Sequence, residues 1–264
     1  MQNITFYILS CDRPNFLRSA IIDLLQYVDA SLIKIMDNSS QPDEIYILQN
    51  EFPDIHFDIF GDRLNYISNF KRCIDDCITE YIVCLHDDDR LMNTFEAHFD
   101  NFSNSKCSFA SGNGTLVDLE TMKQAELLVN SKISTEINSV YQYAKHKYRQ
   151  GGGCIPFSPI IFRTKEIFRF TDQLTELGDR YEQSIDVILI ALLLSKGSMF
   201  YSNIPIYYCG VHGGQDSMFM HSANENNVRN YLKYFMTTKQ RIFFQSRLLA
   251  FDLREILHKI FKHG

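Results

Sequence analysis

The chain has 264 residues, 45% of them apolar and 22% charged, enough to bury one large α/β core without disulfide support and too apolar for a disordered chain. A formal net charge of -6 argues against a protein that grips nucleic acid with its whole surface. Seven cysteines, an odd number without a CxxC pair, indicate neither a metal clamp nor a disulfide framework and suit a reducing cytosol.

The N-terminal residues MQNITFYILSCDRP show neither a basic n-region nor a small-residue cleavage site, so no secretory signal is expected. Ile4 to Leu9 is a short β-rich apolar run, read as a buried strand. It ends in Ser10-Cys11-Asp12-Arg13-Pro14, and the proline opens a predicted helix over 15–27 with apolar positions Phe16, Leu17, Ala20, Ile21, Leu24 and Leu25. Leu32 to Met36 reads as a second strand, stopped by Asp37-Asn38-Ser39-Ser40. A helix over 41–51, a strand over 55–60 and a helix over 69–78 follow, with Cys73 and Cys77 on one helical packing face. Tyr81 to Leu85 is a fourth apolar strand that runs directly into His86-Asp87-Asp88-Asp89.

This rhythm of strand and helix predicts a parallel sheet with helices on both faces. Ligands bind such sheets beyond the carboxyl ends of the strands. The three polar strand ends, 10–13, 37–40 and 86–89, should therefore face one crevice. The second half is less regular. A strand is expected from 109 to 114, polar helix and loop from 121 to 150, and a sharp break at Gly151-Gly152-Gly153. Further strands are expected over 156–162 and 199–208, with a short helix over 164–168 between them. Ser184 to Lys196 reads as a strongly apolar helix ended by Gly197; its run Val187 to Leu194 is far short of the roughly 20 residues that cross a bilayer. The tail from 226 to 262 reads as one or two amphipathic helices. From Glu225 onward there are eight Lys/Arg against three Asp/Glu. That basic, aromatic tail suits an anionic membrane surface, and its amphipathic pattern equally suits packing on the core or against a second copy.

Three adjacent carboxylates after a buried strand repel one another and call for a cation. A hard divalent ion bridging substrate phosphates is the usual partner. A solvated acidic turn is the plain alternative.

At this point the sequence resembles the GT-A glycosyltransferases, most closely their family 2, whose DXD strand end is often Leu-(Asp or His)-x-Asp-Asp. The stretch Leu85-His86-Asp87-Asp88-Asp89 stands there, with His86 in place of the commoner aspartate. Three further stretches fit in order: Ser10 to Pro14 for the Thr-Tyr-Asn-Arg-Pro-like turn, Asp37 to Ser40 for Asp-Asp-Gly-Ser, and Asn65 to Arg72 with Thr79-Glu80-Tyr81-Ile82 before the acidic strand. Ile67 replaces an expected glycine.

The resemblance implies a GT-A fold: an α/β, mostly parallel central sheet flanked by helices. Residues 1–100 would form a nucleotide-binding half and 101–222 an acceptor-binding half, with a helical extension over 223–264. It implies an inverting, metal-dependent transfer from a nucleotide-sugar, expected to be a UDP-sugar. Ser10, Asp12, Arg13, Asp37, Asn69, Arg72 and Asp87 are then the nucleotide-binding candidates. The alternative for Asp12 and Asp37 is a turn-forming role.

Mn²⁺ or Mg²⁺ would be held by Asp88, with Asp89 and His212 as further candidate ligands; which of Asp87, Asp88 and Asp89 meets metal and which meets sugar stays open. Asp186 aligns with the family's base at the start of the apolar helix, although Ile185 stands where a glutamate is usual; Asp179 and Glu182 are nearby alternatives. A helix N-terminus should depress the pKa of Asp186. The implied setting is surface-polysaccharide (O-antigen or capsule) synthesis on a glycan or glycolipid acceptor, in the cytoplasm or on the inner face of the membrane. Rival readings are a non-catalytic scaffold of the same fold and a nucleotidyltransferase, though the turn after the first strand lacks the latter's glycines.

Overall fold

A computed structural model describes residues 3–119, 121, 123–128, 135–148, 158–174, 176, 185–211 and 222–262. Strand β1 (Ile4–Ser10) is buried at every position. Its side chains alternate between two cores, Ile4, Phe6 and Ile8 on one face and Tyr7 and Leu9 on the other. A strand covered on both faces reads as a continuous apolar run, which is why it was legible. Helix α1 (Pro14–Leu24) starts at the proline and buries Leu17, Ala20, Ile21 and Leu24. Strand β2 (Ile33–Asp37), helix α2 (Asp43–Glu51) and strand β3 (His56–Ile59) follow in the expected order.

Helix α3 (Tyr66–Asp76) begins three residues earlier than its apolar pattern suggested, because the Asn65 side chain accepts from the Ser68 N–H at 2.8 Å and caps it. It stops before Ile78, which is 94% exposed. Strand β4 (Tyr81–His86) then lies beside β1.

The chain returns through a three-residue strand β5 (Asp89–Leu91), helix α4 (Phe95–Ser103) and a long β6 (Phe109–Asp118). The stretch read as helix and loop contains two short strands, β7 (Lys123–Leu127) and β8 (Glu136–Ile137), as well as helix α5 (Val140–Lys147). Strand β9 (Ile160–Arg163) and helix α6 (Thr164–Ile167) come next; 156 and 157 of the expected strand lie outside the described residues. Helix α7 (Ile185–Leu194) is buried from Val187 to Leu194, as a helix apolar all round must be. Strand β10 (Met199–Val211) precedes two tail helices, α8 (Ser222–Tyr234) and α9 (Thr238–Lys262).

The sheet order is β3-β2-β1-β4-β9-β6-β10-β5, with β7 on β6 and β8 on β10. The four early strands run parallel, and so do β6 and β10. The sheet is mostly parallel, as expected; along this order the exceptions are β9, which runs antiparallel between β4 and β6, and β5, which runs antiparallel to β10. Two cores result. One packs α1, α2 and α4 on the sheet; the other packs α3, α5, α7 and parts of α8 and α9 on its opposite face. Among the described residues no helix is long and apolar enough to cross a membrane.

Candidate active site

The ends of β1, β2 and β4 meet, as the strand-end rule requires. Ser10 donates its hydroxyl to the Asp87 carboxylate at 3.0 Å. Arg13, entering α1, pairs with Asp87 at 2.5 Å and with Asp88 at 3.2 Å. Asp87 is fully buried, and Asp88 and Asp89 are nearly so. The backbone of this turn is itself clamped: the Arg90 guanidinium donates to the carbonyls of Asp87 and Asp89 at 2.9 and 2.8 Å and pairs with Asp23 at 2.8 Å. Strand β5 then locks onto β10, with Asp89 opposite Cys209. At Gly210 a Cβ would strike the Asp88 carbonyl oxygen, so only glycine lets the strand approach the turn this closely.

His86 stands at the end of β4. Its Nε2 lies 3.1 Å from the Tyr66 hydroxyl, and its backbone N–H donates to the Ser158 hydroxyl at 3.0 Å. Ser158 and the Gly210 N–H also serve the Asp89 carboxylate. Asp186, in the first turn of α7, interacts electrostatically with His86 and Tyr66.

Burial dominates the electrostatics of these groups. It pushes the Asp87 carboxyl up to about 7, with the Arg13 cation pulling the other way. Burial, then the neighbouring Asp88, raises Asp89. Burial lowers His86 while Asp88 and Asp186 oppose it. Asp186 is raised by burial, with His86 opposing. The expectation that a helix N-terminus would depress its pKa is therefore corrected, since desolvation outweighs the helix dipole here.

One oxygen or nitrogen each from His86, Asp88 and Asp89 lies within 4.8 Å of the others. Two buried carboxylates and a half-buried imidazole fit a divalent cation, because a cation relieves the repulsion and desolvation of the carboxylates. His86, expected only as a departure from a motif, stands at the strand end two and three residues before these aspartates and completes a group that could hold a metal ion. His212 lies outside the described residues.

The remaining candidates flank this cluster. Asp12 adopts a left-handed backbone with φ of 55°; its N–H donates to the Ser39 hydroxyl at 2.7 Å, and its carboxylate accepts from the Ser40 N–H at 3.0 Å. Asp37 is fully buried, and its two oxygens accept from the Ser39 N–H at 3.0 Å and the Ser39 hydroxyl at 2.9 Å. Both aspartates thus do turn work, joining the ends of β1 and β2. Asn69 donates to the Met36 carbonyl at 3.2 Å, and Arg72 donates to the carbonyls of Asp37 and Asp58 at 3.1 and 2.9 Å while lying 5.0 Å from the centre of the Phe60 ring. An open cleft of about 390 Å³ is lined here by Asp12, Pro14, Ser39, Ser40, Asp43 and Glu44. Tyr66 and Ser158 were missed as site residues. Tyr66 falls inside the Asn65 to Arg72 stretch but was not singled out there, and Ser158 follows a glycine-rich stretch with no charge to mark it.

No protein-family model matches this sequence, and no curated protein matches it. Solved structures do match in three dimensions. The crystal structure of S. aureus TarS residues 1–349 in complex with UDP-GlcNAc aligns with a TM-score of 0.63 at 10% identity, over 95% of this chain and 73% of that one. The same TarS segment without a named ligand aligns at 0.63 with 8% identity, over 95% and 71%. Its complex with UDP aligns at 0.60 with 9% identity, over 95% and 70%. The chain therefore has a GT-A-like mixed α/β fold, shared with TarS across almost its full described length.

Proposed function

We propose that the chain is a metal-dependent inverting glycosyltransferase that uses a nucleotide-sugar, with a UDP-sugar as the expected donor. The observation that carries this reading is the cluster of His86, Asp88 and Asp89 at the end of β4, in a fold shared with a protein crystallised with UDP-GlcNAc and with UDP. Residues 1–100 supply the nucleotide half and 101–222 the acceptor half. The cleft lined by Asp12, Ser39, Ser40 and Glu44 receives the nucleoside, with Ser10 and Asp37 at the strand ends beside it and Asn69 and Arg72 holding α3 against those ends. Mn²⁺ or Mg²⁺ held by His86, Asp88 and Asp89 would neutralise the diphosphate and make the nucleoside diphosphate a better leaving group.

Arg13 and Ser10 partly offset the burial of Asp87 and fix its carboxyl group, so that the turn holds its shape. Asp186 takes the proton from the acceptor hydroxyl. Its burial raises its basicity, which suits proton transfer near neutral pH. Attack opposite the leaving group inverts the anomeric centre. A glycan or glycolipid of surface-polysaccharide synthesis is the acceptor class that the resemblance suggests.

Calorimetric titration of UDP with and without Mn²⁺ tests the donor site. Metal-dependent binding that Asp88→Ala removes is expected, with GDP binding more weakly. Asp186→Asn should retain that binding and lose roughly 10²- to 10⁴-fold in transfer rate. Absence of any nucleotide binding by the wild type would instead favour a non-catalytic scaffold.

A further inference from the structure

Helix α9 presents two different faces. Phe244 and Leu248, four residues apart, are 0% and 2% exposed and pack into the core, with the Phe244 ring 5.3 Å from that of Tyr148 at the end of α5. Ile242 and Leu249, seven residues apart and so one above the other on the helix, are 66% and 58% exposed. Phe243 is 54% exposed beside them, and Tyr234, at the end of α8, is 76% exposed. In the sequence the same spacing continues as Leu253, Ile256 and Ile260. The core already has its share of this helix, so the exposed apolar row is surplus to folding.

Charge identifies what covers it. From Thr238 to Lys262 the helix carries six Lys/Arg and two Asp/Glu, in a chain whose net charge is -6. Arg247 reaches the Lys145 carbonyl at 3.5 Å, which brings the basic last turn of α5, with Lys145, His146 and Lys147, against the same helix. Among these cations Lys145 and Lys239 are exposed. Two copies facing each other through this surface would bring like charges together. An anionic bilayer meets both demands at once, taking the apolar row into the headgroup–acyl boundary and attracting the cations.

We infer that α9, with the basic end of α5, seats the protein on an anionic lipid surface through Ile242, Phe243 and Leu249. Among the described residues none of α5, α8 and α9 contributes to the candidate active site, so this inference stands whether or not the proposed transfer does.

Sedimentation of the full chain with vesicles tests it, using phosphatidylcholine alone and phosphatidylcholine mixed with phosphatidylglycerol. Binding is expected only to the phosphatidylglycerol vesicles and should fade as salt shortens the range of the attraction. Ile242→Gln with Leu249→Gln should weaken it roughly tenfold, since both apolar contacts are lost. Lys145→Gln and Lys239→Gln should each weaken it roughly fivefold. All these side chains are exposed, and an unchanged circular dichroism spectrum verifies that each variant folds. Asp88→Ala should bind vesicles as the wild type does, which separates this surface from the donor site. Equal binding to neutral vesicles, or none to anionic ones, would overturn the inference. So would a lipid-free wild-type dimer that the Ile242→Gln/Leu249→Gln variant turns into a monomer, which would assign the face to a second copy.

Discussion

Arg13 meets both Asp87 and Asp88 while its own side chain is 30% exposed, so it compensates buried negative charge from the rim of the site. Removing one partner of a buried ion pair leaves an uncompensated charge and costs several kcal/mol; the partial exposure of Arg13 reduces that to about 2 kcal/mol. Arg13→Met is accordingly expected to lower the urea-unfolding free energy by that amount, and added Mn²⁺ should restore part of it. An Arg13→Met protein as stable as the wild type without metal would refute this account. The acidic run, Ser10 and Arg13 were legible because their residue types are unusual at strand ends. The contacts of Tyr66 and Ser158 with His86 were not, because a tyrosine and a serine carry no signal until the fold brings them to 3.1 and 3.0 Å. Asp37 illustrates a subtler limit. Its sequence position suits a ligand and a turn equally well, and only the two bonds from Ser39 show what its oxygens do in the folded chain.

Elements buried on both faces announced themselves: β1, β2, β4 and α7 appear as dense apolar runs. Their direction did not, because a strand buried from both sides reads the same whether its neighbours are parallel or antiparallel, and β9 is the case in point. The three-residue β5 was invisible, since Asp89–Leu91 has neither length nor period. Helix α9 was legible as amphipathic, yet its composition could not say which apolar residues face inward. The structure makes that division testable. Leu248→Ala should cost about 2–5 kcal/mol by opening a cavity in the core, whereas Ile242→Ala, on the exposed row of the same helix, should stay within about 0.5 kcal/mol of the wild type. Thermal or urea unfolding of the pair decides it, and equal losses would mean that the helix is packed on the wrong face.

For the whole molecule, acid sensitivity follows from one histidine. His98 is 3% exposed, has no hydrogen-bond partner among the described residues, and lies near the rings of Phe95 and Phe200. Burial pushes its pKa down to about 4, below the value near 6.5 of an unfolded chain. Between those values the unfolded state binds the extra proton, so stability falls as pH drops through that window, by roughly 3 kcal/mol in all. Asp87 and Asp89, whose pKa values are raised, act in the opposite sense as the pH falls. The difference between wild type and His98→Phe isolates the histidine: the two should differ little in pH dependence above pH 7 and diverge below pH 6, the variant keeping more of its stability. Parallel pH profiles would rule the histidine out. The pairing of β5 with β10 has a further consequence, for the order in which the protein is made. The strands β1 to β4 are close in sequence and adjacent in the sheet, so they can pair before the rest of the chain is made. The acidic turn waits for Tyr207, Tyr208 and Cys209 to arrive beside Leu91, Arg90 and Asp89. Arg13 and Arg90 can hold the turn early, but the pairing of Asp89 with Cys209 must wait until most of the protein has been synthesised, so the cation site is completed late.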